Sequence, residues 1–339
     1  PFNSLSEKSA MRGGGVEPPC LAALDPKSSA SAISAILAFS VIKFYYVSNY
    51  QTIFEPYFKG LMNMKIETDW HIHSHNSFDE ASMTIKDIIT SVKKNGIKKF
   101  GISDHLNTRL NLQDIEASRK EYLENQTEGF HFGIEVSCVS LWEIELIKKG
   151  GYENAVCGIR EGGPAWAKPA IDISQQDIKE LGIEYVIGGT HWPLYVPWER
   201  DCLIRDYHRQ NMFLATHPLV TIVAHPWWFH SGYWKKYVAQ FEPWFSDFNV
   251  IPKSMHEEFA DAVVENKKIV EINLHAIILH PSYPENFKMQ YLEYLSFLKS
   301  RGVKFSIGTD CHQSYNFDFE KAASMIEKAG ITEHDIWTI

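Results

Sequence analysis

Seven times between residues 64 and 312, a short apolar, β-rich run ends in polar residues, nearly always ones able to hold a metal. An amphipathic stretch usually follows. The runs are Lys65–His71, Lys99–Ile102, Phe130–Val136, Glu184–Ile187, Thr221–Val223, Ile269–Ile272 and Lys304–Ile307. Strands alternating with helices imply parallel βα units. Seven such strands, with polar groups just past their C-terminal ends, predict an α/β barrel whose active face lies at those ends. A doubly wound open sheet is the structural rival. Three intervening helices have readable ends. Thr84 to Asn95 opens on Thr84-x-x-Asp87 and stops at Gly96; Ser174 to Leu181 opens on Ser174-x-x-Asp177 and stops at Gly182; Gln290 to Arg301 stops at Gly302. The first two openings resemble capping boxes, and glycine is the common residue just past a helix end.

The strand ends carry the chemistry. The first run closes on Asp69-Trp70-His71-Ile72-His73, and residues two apart on a strand share a face, so His71 and His73 can reach one ion together. Asp79 stands in the loop that leaves this strand. The next ends supply Asp104-His105, Glu135, His191 and His225, and the last supplies Asp310 and His312, again two apart. Any one of these has an ordinary structural reading. Six strand ends delivering imidazole or carboxylate to one barrel face do not, because buried unpaired groups of this kind are costly and metal ions are their natural partners.

The remaining features bound the possibilities. With 339 residues, 45% of them hydrophobic, the chain can bury a self-sufficient core. Its formal net charge is −9 and no Lys/Arg run is dense, which argues against a nucleic-acid partner. The five cysteines (Cys20, Cys138, Cys157, Cys202, Cys311) form no C-x-x-C pair and suggest free thiols in a reducing, cytoplasmic setting. Residues 1–63 read as an N-terminal extension outside the core fold, with the core domain spanning 64–339. The apolar stretch Ser28–Val47 is short for a membrane anchor and lacks the flanks of a secretory signal. No membrane association is expected for the core domain.

The motifs DWHIHS, ISDH, GIEVS, GTHW, VAHP, VEIN and GTDCH, in this order from Met64 to about Trp337, resemble the PHP (polymerase and histidinol phosphatase) superfamily, particularly its stand-alone histidinol-phosphatase-like phosphoesterases. The resemblance implies a distorted (β/α)7 barrel with two or three divalent ions, manganese, zinc or iron. It implies His71, His73, Glu135 and Asp310 at one ion, and Glu135 bridging to a second held by His191 and His225. Asp79, His105 and His312 would hold a third, with His75 the competitor for the place of Asp79. Asp79 is a harder ligand than the histidine often found there, and would favour manganese or magnesium. The implied reaction is hydrolysis of small phosphate esters by a metal-bridging hydroxide. Glu135 and Asp310 are expected to be catalytic, with Asp104 orienting His105 or taking a proton.

The presumed pocket wall is aromatic: Trp192, Trp198, Trp227, Trp228, Phe229 and Trp234 follow His191 and His225. Trp192 and Trp228 are expected to grip an apolar leaving group. Arg160, Arg200 and Arg205 are candidates to clamp phosphate oxygens. Glu271 and Asn273 fall at the sixth strand end, for support or substrate contact. His131, His217, His230, His275 and His280 are read as non-ligands. The alternatives are a nuclease or nucleotide phosphodiesterase and a non-catalytic metal-binding module.

Overall fold

In a computed structural model the described residues are 64–339, apart from 151, 153–155, 157, 160 and 230–245. The expectations for residues 1–63, Arg160, His230 and Trp234 lie outside them.

All seven expected runs are strands, and they pair in parallel in chain order. They are β1 (Thr68–Asp69), β2 (Lys99–Ile102), β4 (Phe130–Ser137), β7 (Tyr185–Gly189), β8 (Ile222–Val223), β9 (Ile269–Asn273) and β10 (Lys304–Gly308). The ends of this path meet. Trp70 N–H donates to the Ile307 carbonyl at 2.9 Å, Asp310 N–H to His71 at 2.7 Å, and Ile72 bridges Cys311 in parallel. The sheet is therefore a nearly closed, distorted seven-stranded barrel with helices between the strands, and the open-sheet rival is excluded. Three short strands were not legible in the sequence. β3 (His105–Leu106) pairs with the outer half of β4, while β5 (Val139–Ser140) and β6 (Pro169–Ala170) form a separate two-stranded antiparallel sheet. The first run is the poorest match, since only Thr68 and Asp69 are strand and the chain through His73 is held by single bonds to the end of β10.

The barrel interior has an apolar floor and a polar top. Trp70, Tyr185, Ile187, Ile222, Ala224 and Ile269 form a buried cluster of their own, distinct from the larger core packed against the helices. Tyr185 fills the centre and its hydroxyl donates to the Trp70 and Ile102 carbonyls at 2.8 and 3.2 Å. Gly101 and Gly133 make room for it, because a Cβ at either would collide with its ring. His131 lies at this lower end, bonded to Glu184 at 2.7 Å and 5.3 Å from the Trp70 ring.

Both capping boxes exist as read. The helix Ile85–Lys94 is capped by Thr84 and Asp87, and Gln175–Leu181 by Ser174 and Asp177 before the left-handed Gly182. Ile85, Ile88 and Val92 place the first of these on the core with helical spacing. The third helix runs Glu285–Ser300, five residues ahead of its expected start at Gln290, because Pro284 in extended conformation opens it. No helix of the described residues is long and apolar enough to cross a membrane. Cys138, Cys202 and Cys311 are buried free thiols.

Candidate metal centre

The strand ends converge on Glu135. This carboxylate is fully buried on β4. Its Oε1 stands 3.0 Å from His191 Nε2 and 3.1 Å from His225 Nε2. Its Oε2 stands 3.0 Å from His71 Nε2, 3.1 Å from His105 Nδ1 and 3.5 Å from His73 Nε2. Asp310 Oδ1 extends the cluster, at 3.2 Å from His73 Nε2 and 3.5 Å from His71 Nε2. Asp79 Oδ2 sits between His312 and His105, at 2.6 and 3.1 Å from their Nε2 atoms. All nine sequence-predicted ligands therefore meet at one face.

The grouping differs in detail from the expected one. Ligand atoms lie within 4.8 Å of one another in three sets: His71, His73 and Asp310; His73, Asp79, His105 and His312; and His105, Glu135 and His191. His73 and His105 each fall in two sets; His225 falls in none of the three, and its Nε2 faces Glu135 Oε1. His75 is elsewhere, bonded to Glu121 at 2.7 Å.

The donor set fits divalent ions. Ligand atoms 2.0–2.2 Å from a tetrahedral ion stand roughly 3.3–3.6 Å apart, close to the separations above. Both ring nitrogens of His73, Nδ1 of His105, Nδ1 of His225 and Oδ1 of Asp79 are buried without a hydrogen-bond partner. Of these, His73 Nε2 and His105 Nδ1 point at the carboxylates of the cluster, and a cation there would satisfy atoms that otherwise cost roughly 1–3 kcal/mol each. The electrostatics agree. Burial disfavours charge on His71, yet Glu271, Glu135 and Asp310 draw its pKa well above the usual value. Burial, with His312 and His105 beside it, pushes His73 down to about 3, and burial takes His191 down to about 4. Burial opposes ionisation of Glu135 and Asp310, but the surrounding imidazoles hold both well below the carboxylate range. His71 thus lies among carboxylates that favour its protonated form, and cations would serve the same carboxylates.

A scaffold of buried groups sets these side chains. Glu271 Oε1 bonds His71 Nδ1 at 2.6 Å, and its Oε2 accepts from His225 N–H at 2.8 Å and Asn273 Nδ2 at 3.1 Å. Carboxylates behind metal-binding imidazoles fix ring orientation and basicity in this way. A Cβ at Gly308 would strike Glu271 and His71, and one at Gly189 would strike Glu135 and His191, so both strand ends need glycine. His225 and Asp310 have φ of +24° and +55°, and Trp227 +71°, in the left-handed region that non-glycine residues avoid. Strain of this kind collects at functional sites.

Several expected roles are corrected. Asp104 neither orients His105 nor faces the cluster. It accepts from Ser74 N–H at 2.5 Å, from Ser74 Oγ at 2.6 Å and from Ser118 Oγ, and burial raises its pKa to about 6. Asn273 is not free for substrate, because Nδ2 donates to Glu271 and to Asp310 (3.2 Å) and Oδ1 accepts from Ala276 N–H at 2.7 Å. It holds the Asp310 carboxylate in place. Arg205 is exposed over the Trp166 ring, 5.4 Å from its centroid, and donates to Asp201 and Cys202. Arg200 is exposed beside Asp201. Neither arginine has a recorded contact with the cluster. The aromatic stretch divides: Trp227 and Phe229 are core, and Trp198 packs on Phe229. Trp192 and Trp228 are half-buried with rings 5.6 and 5.9 Å from His191, and Trp228 lies 5.0 Å from His225. Ser137 and Asn107 went unread, although each stands two residues past a ligand, Glu135 and His105. Ser137 Oγ lies 2.8 Å from His191 Nδ1 and donates to Asn107 Oδ1.

A seven-stranded barrel with a cluster of imidazoles and carboxylates at its strand ends has the donors of a metal-dependent hydrolase. Residues 69–224 match the PHP domain family. A curated protein of Thermotoga maritima named "Probable histidinol-phosphatase" is 25% identical over 247 residues, covering 73% of this chain and 84% of that protein. The solved structure of the histidinol phosphate phosphatase of Lactococcus lactis, in complex with zinc, L-histidinol and phosphate, superposes with a TM-score of 0.52 at 18% identity. That match spans 78% of this chain and 94% of the other, and shows the same fold.

Proposed function

We propose that residues 64–339 form a phosphatase domain that hydrolyses small phosphate monoesters, histidinol phosphate among them. The ligands are His71, His73, Asp79, His105, Glu135, His191, His225, Asp310 and His312, and they hold two or three divalent ions, zinc, manganese or iron. The observation that carries this reading is Glu135, whose two buried oxygens face five imidazole nitrogens in two sets. A single ion does not need a carboxylate divided in this way. The ions, when bound, supply an activated water at neutral pH and neutralise phosphoryl charge. The protein's part is to fix the ligands through Glu271 and Asn273 and to wall the site with Trp192 and Trp228. The names and substrates of the relatives support the same choice of ester.

The test is a comparison of small phosphomono-, di- and triesters, histidinol phosphate and nitrophenyl phosphates included, with single-stranded and duplex DNA at matched ionic strength. Turnover of small monoesters is expected. Processive digestion of DNA with negligible action on small esters would replace this reading with a nuclease. Trp228→Ala should raise KM for an aryl ester several-fold, by about 3- to 10-fold, with a smaller fall in kcat. An apolar wall contributes to binding of substrate and transition state alike. Steady-state kinetics check this, and a fall in kcat alone would remove Trp228 from the pocket wall.

A further inference from the structure

The imidazole of His191 is wired to the loop that follows His105. Ser137, on β4 beyond Glu135, and Asn107, beyond His105, are both buried. Ser137 Oγ meets His191 Nδ1 at 2.8 Å on one side and Asn107 Oδ1 on the other. A hydroxyl has one proton, and an amide oxygen only accepts. Ser137 therefore donates to Asn107 and must accept from His191, which places the imidazole proton on Nδ1. The Asn107 loop is itself held. Asn107 N–H and Thr108 N–H donate to Asn111 Oδ1 at 3.1 and 3.4 Å, and Asn111 Nδ2 donates to the His105 carbonyl at 2.6 Å.

That tautomer has a consequence at the other end of the ring. Nε2 then carries a lone pair, and it points at Glu135 Oε1 only 3.0 Å away. Two acceptors at that distance repel unless a cation lies against both. The relay is thus set for the ion-bound state and works against the empty one, where an Nε2 proton would bond Glu135.

We infer that Asn107 and Ser137 are positioning residues that lock His191 as its Nδ1–H tautomer and so raise the affinity of the ion shared by His191 and Glu135. The inference rests on the metal-site reading and is independent of which ester is hydrolysed. It predicts that Ser137→Ala weakens zinc binding to the full chain by about 10- to 100-fold at that ion, the range for partners behind a ligand. Asn107→Asp keeps an acceptor for Ser137 and should bind zinc as tightly as the unchanged protein, or more so. Zinc competition against a chromophoric chelator reads both. Imidazole nitrogen NMR of the zinc-loaded protein gives a second readout, in which His191 should be protonated at Nδ1. This measurement stands even if Ser137→Ala fails to fold.

Zinc affinity within twofold of the original in Ser137→Ala would overturn the proposal. So would an equal loss in Asn107→Asp, or an Nε2-protonated His191 in the zinc-loaded protein. Failure to hydrolyse small esters, with these zinc results intact, would count against the phosphatase reading and leave the relay standing.

Discussion

Glu135→Gln is expected to lower kcat for a small phosphate ester by roughly three orders of magnitude or more, with the fold retained. The substitution is nearly isosteric, so the packing around β4 survives. What is lost is a negative charge that His71, His73, His105, His191 and His225 all face, at 3.0–3.5 Å. An amide offers one weaker acceptor and turns an N–H toward the remaining nitrogens, so no two sets of ligands can share it. Ion content should fall together with kcat, while circular dichroism stays unchanged. His131→Ala is the internal control, because His131 sits on the same strand but at the barrel floor against Glu184. It should cost less than about tenfold in kcat, since it leaves every ligand in place. Equal losses from the two substitutions would mean that the ligands have been misassigned.

The order in which features became legible has a physical basis. The period of two in a strand picked out His71 and His73, and Asp310 and His312, although both pairs lie just past the strands and Asp310 has left-handed backbone. The capping boxes at Thr84 and Ser174 are equally local, and both were readable to the residue. Features that depend on the far side of the molecule were not. Asp104 adjoins a ligand in sequence, but its carboxylate turns to Ser74 and Ser118. Asn273 has the chemistry of a substrate contact and is taken up by Glu271, Asp310 and Ala276. Trp227 and Trp228 are adjacent and both aromatic, yet one is core and the other faces His225, because the left-handed backbone at Trp227 breaks any simple periodicity. Ser137 could have been found by the same rule of two that found the ligands, applied one step beyond Glu135. The pairing of β5 with β6 left no such trace, as two-residue strands carry no pattern to read.

Removal of the ions is the other large effect. The nine side chains bring at least three carboxylates and six imidazoles into a buried volume, and five of their polar atoms have no hydrogen-bond partner there. Without cations the imidazoles must carry the balancing protons, as His71 does between Glu271, Glu135 and Asp310. Such a cluster positions no activated water, so the stripped protein should be inactive while the apolar barrel floor around Trp70 and Tyr185 keeps it folded. The most direct measurement is a titration of chelator-stripped protein with zinc or manganese, following bound ions per chain by elemental analysis alongside hydrolysis of a small phosphate monoester. The account predicts no turnover at zero ions and recovery that rises with the second ion, complete at two or three per chain. Fewer than one ion bound per chain after loading, or full turnover by the stripped protein, would contradict it.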